Sequence, residues 1–199
     1  MSKVILIVVS SGLIAEFLAI SPGFRKMDLK TVVTVAIFTA LSSVGRLLFA
    51  AVPSVQPSSY FIILAGALLG PAAGFAVGFL TPLITGLLLG LGYYLPFQMF
   101  GWGTMGLLAA LLFRRRKGWL FGVTLPVAYG FVWGFLYGFI TNLGYFGMGL
   151  APITVQTVIA GQIGSFSFDL AHALSNAALL LVLPVPVIHK ILRSGRLSG

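Results

Sequence analysis

Apolar residues fill six long tracts of the chain, at 4–20, 31–52, 58–91, 96–113, 119–145 and 166–188, and polar residues gather in the short breaks between them. A run of about 20 apolar residues crosses a hydrocarbon core of roughly 30 Å as one helix. The tract 58–91 is too long for that, because as a single helix it would extend about 51 Å. Gly70-Pro71 divides it, since proline cannot continue a helix but begins one well. The division predicts two passes, 60–69 and 72–91, of which the first is short.

Side assignment follows from the basic residues. They form three clusters, Arg25/Lys26/Lys30, Arg114/Arg115/Arg116/Lys117 and Lys190/Arg193/Arg196, with Lys3 and Arg46 standing apart. Such clusters stay on the cytoplasmic side. Four crossings between the first cluster and the second place both on one side. Tract 119–145 then runs outward and 166–188 returns, which brings the third cluster to the same side. Six core helices result, with both core termini cytoplasmic in a multi-pass cell-membrane protein. Tract 4–20 carries Glu16 and admits two readings, a cleaved secretory signal or a retained extra helix with its amino end outside. No small-x-small cleavage pattern follows it, which favours the helix. The domain reading is therefore residues 1–27 as an extra membrane helix with a cytoplasmic linker, and 28–199 as a six-helix substrate-binding membrane domain. The outer connections, 53–57, 92–95 and 146–165, contain no charge, and the last is long enough to act as a lid.

Composition excludes most other classes. The chain has 199 residues, 59% hydrophobic and 8% charged, with 25 glycines, and a mean hydropathy of +1.09. A soluble domain cannot bury that much apolar surface. The net charge of +9 would suggest nucleic acid in a soluble protein; here it reports topology, and no nucleic-acid partner is expected. Zero cysteines exclude disulfides, thiol nucleophiles and thiolate zinc sites, and three acids with two histidines leave few ligands for another metal. Neither metal nor cofactor is expected.

The polar residues inside the tracts point to a site. A charge within a span is costly, roughly 2.5–3.5 kcal/mol on insertion scales, and faces a cavity or a partner. Arg46 and Asp169 stand at similar depths below the outer ends of their helices. Either they neutralise each other as an ion pair or one or both face a ligand. Asp169, His172 and Asn176 fall within about 60° on one helical face, which must point inward. Asn142, near the outward end of the fifth core helix, stands at the same level. Gln56, Tyr60, Tyr93, Tyr94, Gln98 and Trp102 gather there too, as interface anchors or as walls of a pocket for a ring-bearing ligand. Ala36-x-x-x-Ala40 lies on the inner half of the first core helix, a spacing frequent where membrane helices pack closely. Gly74-Phe75-x-x-Gly78-Phe79-Leu80 recurs as Gly130-Phe131-x-x-Gly134-Phe135-Leu136. This is either a parallel duplication or a shared device for close packing.

Together the motifs Gly45-Arg46-Leu47-Leu48-Phe49-Ala50-Ala51-Val52-Pro53-Ser54-Val55-Gln56-Pro57, Gly70-Pro71-x-x-Gly74-Phe75, Pro96-Phe97-Gln98-Met99-x-x-Trp102-Gly103 and Asp169-Leu170-Ala171-His172-Ala173-x-x-Asn176 resemble the substrate-specific S component of energy-coupling factor (ECF) vitamin transporters. The chain is similar in particular to the cobalamin-type branch. The resemblance implies an all-α integral membrane protein, a six-helix transmembrane bundle of the ECF S-component type plus one extra N-terminal transmembrane helix. It implies capture of a vitamin or cofactor precursor, cobalamin-like first and riboflavin or another vitamin next. Delivery would come by toppling in a complex with a transmembrane coupling subunit and two cytoplasmic ATPases. Ala36 and Ala40 match the small-residue motif that docks on the coupling subunit. The chain departs from the branch at Thr85-Gly86 and at Gly90-Leu91-Gly92-Tyr93-Tyr94-Leu95-Pro96-Phe97, where an amide, a glutamine and two tryptophans of the branch are replaced. Its pocket is correspondingly less polar.

Two other functions are weighed against this one. An intramembrane hydrolase would need Ser165 or Ser167 as nucleophile beside Asp169 and His172, but no Gly-x-Ser-x-Gly occurs and one helix places that acid and base poorly. A self-sufficient carrier or channel would carry polar residues along a whole pore, whereas here they stop in the outer half. The chain also lacks the phosphate-loop motif, so ATP hydrolysis is expected from partner subunits and not from this chain.

Overall fold

The computed structural model describes residues 2–114 and 120–194. Arg115, Arg116, Lys117, Trp119 and Arg196 lie outside the described residues, so the start of the tract at 119 and most of the second basic cluster are not placed. Eight helices follow in order: α1 Ser2–Arg25, α2 Leu29–Leu48, α3 Ser58–Leu69, α4 Pro71–Leu89, α5 Leu95–Phe113, α6 Leu125–Gly147, α7 Val155–Val182 and α8 Val185–Ser194. A wide π-type turn, Leu120–Thr124, leads into α6. No strand occurs among the described residues. The protein is an all-α bundle in which α1, α2, α4, α5, α6 and α7 are long and apolar enough to span a membrane.

Local chemistry sets the ends of these helices. Asp28 caps α2 by accepting from the Thr31 N–H at 2.9 Å, and hydrogen bonding from Thr31, side chain first and then backbone, lowers its carboxyl pKa from the ordinary 3.8. Gly70 has φ 113°, which favours glycine, and Pro71 opens α4, so the predicted break is present. α7 differs from expectation. The connection expected at 146–165 is helical from Val155, because Thr154 and Thr157 form a reciprocal cap. Only 148–154 remains as loop, too short for the lid the sequence suggested. The same helix stops at Val182 instead of continuing to 188, because Pro184 and Pro186 withhold N–H donors and restrict the residues before them.

α3 is a half-span of 12 residues, about 18 Å long. Its start lies deep, since Ser58 Oγ donates to the Ser42 carbonyl at 2.8 Å, and Ser42 stands six residues, about 9 Å, before the end of α2. The segment 49–57 therefore turns back into the bundle, with Ser54 at φ 59°. α3 is surrounded on all sides: Ile62, Ile63 and Ala65 are fully buried.

Helix packing uses glycine. A Cβ at Gly74 would collide with the backbone of both Gly66 and Gly106, one at Gly66 with that of Gly106 and one at Gly106 with that of Gly74, so α3, α4 and α5 cross at these three positions. Gly134 sits on Ala173 in the same way, joining α6 to α7. The two recurring glycine rows thus serve one purpose, seating each of α4 and α6 against the helix that follows it. α1 lies on the outside of α4, α5 and α6. Thr104 Oγ1 lies 2.7 Å from Glu16 Oε1, and Ile20 packs with Ala72 and Phe75. Most of its other apolar side chains, including Ile7, Val8 and Leu18, are exposed.

Two ends can be told apart. Lys26, Thr31, Gly70 and Arg114 line one cavity, so the end of α1, the start of α2, the α3–α4 turn and the end of α5 share one end of the bundle. At the other end, Ile5 of α1 packs against Gly147 at the close of α6.

Candidate functional site

Arg46 organises the end away from the basic cavity. α2 carries it one turn above Ser42, and its Nη1 donates to Thr85 Oγ1 of α4 at 2.8 Å while Nη2 donates to Gln98 Oε1 of α5 at 3.0 Å. Its guanidinium carbon stands 5.0 Å from the centre of the Trp102 ring, a cation–π contact. Trp102 stacks on Tyr137 of α6 at 4.9 Å. Tyr137 meets the His172 ring edge-on at 5.1 Å, and His172 Nε2 is 2.7 Å from Ser59 Oγ of α3. One continuous row of polar and aromatic groups therefore links six helices, α2, α4, α5, α6, α7 and α3.

Of the two readings left open for Arg46 and Asp169, the ion pair does not form, and each Asp and Glu side chain is held by another group. Asp169 accepts from Ser165 Oγ at 2.8 Å, Glu16 from Thr104 and Asp28 from Thr31. Arg46 is met by neutral oxygens instead.

A cavity of about 170 Å³ opens beside Arg46, with Gln56, Phe49, Ser54, Val55 and Leu89 among its walls. Gln56 Oε1, Trp102 Nε1 and Tyr137 Oη are buried without a hydrogen-bond partner in the protein. Leaving such an atom unpaired costs about 1–3 kcal/mol, and because Gln56 lines the cavity a polar ligand that meets its Oε1 is favoured. Below this level the Thr81 hydroxyl donates to the Ser42 hydroxyl and the Ser58 hydroxyl to the Ser42 carbonyl, and the fully buried Ile62, Ile63, Leu64 and Met105 then close the bundle. The cup has a floor.

The other predicted residues divide. Asp169, His172 and Asn176 are all buried, 8%, 3% and 0% exposed, and face inward. Asn176 donates to the Gly130 carbonyl at 3.0 Å, which ties α7 to α6. Asn142 donates to Ser165 at 2.8 Å and joins Asp169 in the α6–α7 seam, where Gly138 leaves room for the carboxylate. That seam opens on a groove of phenylalanines, not on the Arg46 cavity. Tyr60 points toward the opposite end, its hydroxyl donating to the Leu183 carbonyl at 2.9 Å, because α3 begins so deep. Tyr93 lies at the rim, edge-on to Tyr94 and Tyr145, and Tyr94 donates to the Gly90 carbonyl. Ala36 and Ala40 lie on the exposed face of α2. Thr85, Ser59 and Tyr137 complete the row although sequence reasoning did not select them. The signal for Tyr137 was its place between Gly134 and Gly138 in an apolar span. No hydrolytic relay assembles, since Ser165 pairs with Asp169 while His172 pairs with Ser59.

Apolar helices long enough to cross a membrane, packed as one bundle with a small cavity beside Arg46, define a multi-pass membrane protein. Residues 30–192 match the model of the family described as ECF transporter, substrate-specific component. The chain belongs to that family of transport subunits. No curated protein and no solved structure matches the chain.

Proposed function

We propose that the chain captures a vitamin or related cofactor precursor in the cup beside Arg46. A cobalamin-like molecule is the first choice, and riboflavin or another vitamin the next. The observation that carries this reading is Arg46 itself, a cation in the interior held by neutral acceptors and backed by Trp102, with Gln56 Oε1 unpaired nearby. That set suits a ring-bearing ligand with carbonyl, amide or anionic oxygens. The cup faces outward, because the basic residues lie at the other end and such residues stay cytoplasmic. Delivery proceeds by toppling in a complex with a transmembrane coupling subunit and two cytoplasmic ATPases. The exposed Ala36 and Ala40 supply a close-packing face for the coupling subunit.

Mass spectrometry of small molecules that copurify with the detergent-solubilised chain tests the ligand class. A vitamin retained by the wild-type chain and lost from Arg46→Ala is the expected result. Retention of the same compound at unchanged affinity in Arg46→Ala would place the ligand elsewhere.

A further inference from the structure

The larger cavity lies at the opposite end, and its chemistry differs from that of the cup. Its volume is about 450 Å³, and it sits between α1, the α3–α4 turn and the end of α5. Two cations, Lys26 and Arg114, contribute to its walls together with Thr31, and the lining includes neither Asp nor Glu. Arg114 spreads its guanidinium against Gly70, where a Cβ would come within 2.9 Å of Nη1. The first turn of α4, Pro71 to Ala73, forms part of the same wall, and Ala19, Ile20, Met27 and Leu69 make an apolar part of it. Cationic groups at a helix end above an apolar slot are complementary to a phosphate headgroup that continues into acyl chains.

α1, through Ala19, Ile20 and Gly23, and Lys26 in the turn after it build one side of this cavity, and these residues precede the segment 30–192 that matches the family. The residues that precede the family segment thus supply Lys26, the second cation of this lining.

We propose that this cavity holds the headgroup of an anionic phospholipid from the leaflet at the basic end, with Lys26 and Arg114 on the phosphate and the acyl chains lying along Ala19, Ile20 and Leu69. Attraction per basic group near an anionic surface corresponds to about fivefold in affinity, so two groups give a preference of about thirtyfold for an anionic over a zwitterionic lipid.

Native mass spectrometry of the full chain, titrated with phosphatidylglycerol or phosphatidylcholine of the same acyl chains, tests it. The wild-type chain is expected to retain phosphatidylglycerol about thirtyfold better. Lys26→Gln/Arg114→Gln is expected to bring the two lipids within about twofold. Arg25→Gln/Lys30→Gln, which removes equal charge at the same end from residues outside the cavity lining, is expected to keep the preference. Lys26→Glu alone, at an exposed position, gives an independent reading that does not require the double variant to fold. Equal retention of the two lipids by the wild type, or equal loss in both double variants, would overturn the site. Displacement of phosphatidylglycerol by millimolar glycerol 3-phosphate would assign the cavity to a soluble anion and overturn the lipid.

Discussion

Arg46 and Trp102 form a cation–π pair at 5.0 Å across the α2–α5 interface, and the same indole stacks on Tyr137. Trp102 therefore both holds the cation and transmits its position to the centre of the bundle. A partly desolvated cation–π contact contributes about 1–2 kcal/mol. Trp102→Phe is expected to weaken ligand binding about fivefold to thirtyfold while the chain stays folded. Trp102→Ala is expected to lower thermal stability as well, because the side chain is fully buried. Ligand titration alongside thermal unfolding separates the two effects.

Gly106 and Gly164 should respond oppositely to the same substitution. A Cβ at Gly106 would overlap the Gly74 backbone, whereas one at Gly164 meets nothing within 4 Å. Gly106→Ala is expected to cost about 1–3 kcal/mol or to prevent folding. Gly164→Ala is expected to be neutral or stabilising by up to about 1 kcal/mol, since it lies within α7. Thermal unfolding in one detergent gives the comparison.

Asp28 predicts an acid sensitivity at the start of α2. Its folded pKa is lowered below 3.8 by Thr31, so its stabilising contribution is present above the unfolded value and is lost as pH falls through the folded one. Unfolding temperature of the wild type should fall more steeply below pH 4 than that of Asp28→Asn, which keeps a cap without a charge. Parallel curves for the two proteins would contradict this assignment.

Ala36 and Ala40 give a prediction about assembly. Both stand on the exposed face of α2, away from the cup. Ala36→Leu/Ala40→Leu is expected to abolish association with the coupling subunit and ATP-driven uptake, and to leave ligand affinity within about twofold. Co-purification with the coupling subunit reads the first effect and ligand titration the second.

Features with a local cause were legible in the sequence. Gly70-Pro71 breaks the long tract because of properties those two residues carry anywhere, and Asp169, His172 and Asn176 share an inward face because helical periodicity puts them there. α7 was underestimated because the Gly and Pro residues before it resemble a loop, although Thr154-x-x-Thr157 was a readable cap. The partners of Arg46 were not legible. Thr85 and Gln98 are 39 and 52 residues away, and no local pattern says which helix an arginine will face. Tyr60 was assigned to the cup on its place in the chain, but α3 starts deep and directs it to the other end.

A floored cup opens at the Arg46 end and closes above Met105. Because the chain has no cysteine, single-cysteine labelling in sealed vesicles with a membrane-impermeant maleimide tests it most directly. Val55→Cys, in the cup wall, should label from the outer side only and be protected by the ligand, while Met105→Cys, fully buried beneath it, should label from neither side. Reaction of Val55→Cys from both sides, or of Met105→Cys from the cytoplasmic side, would contradict it.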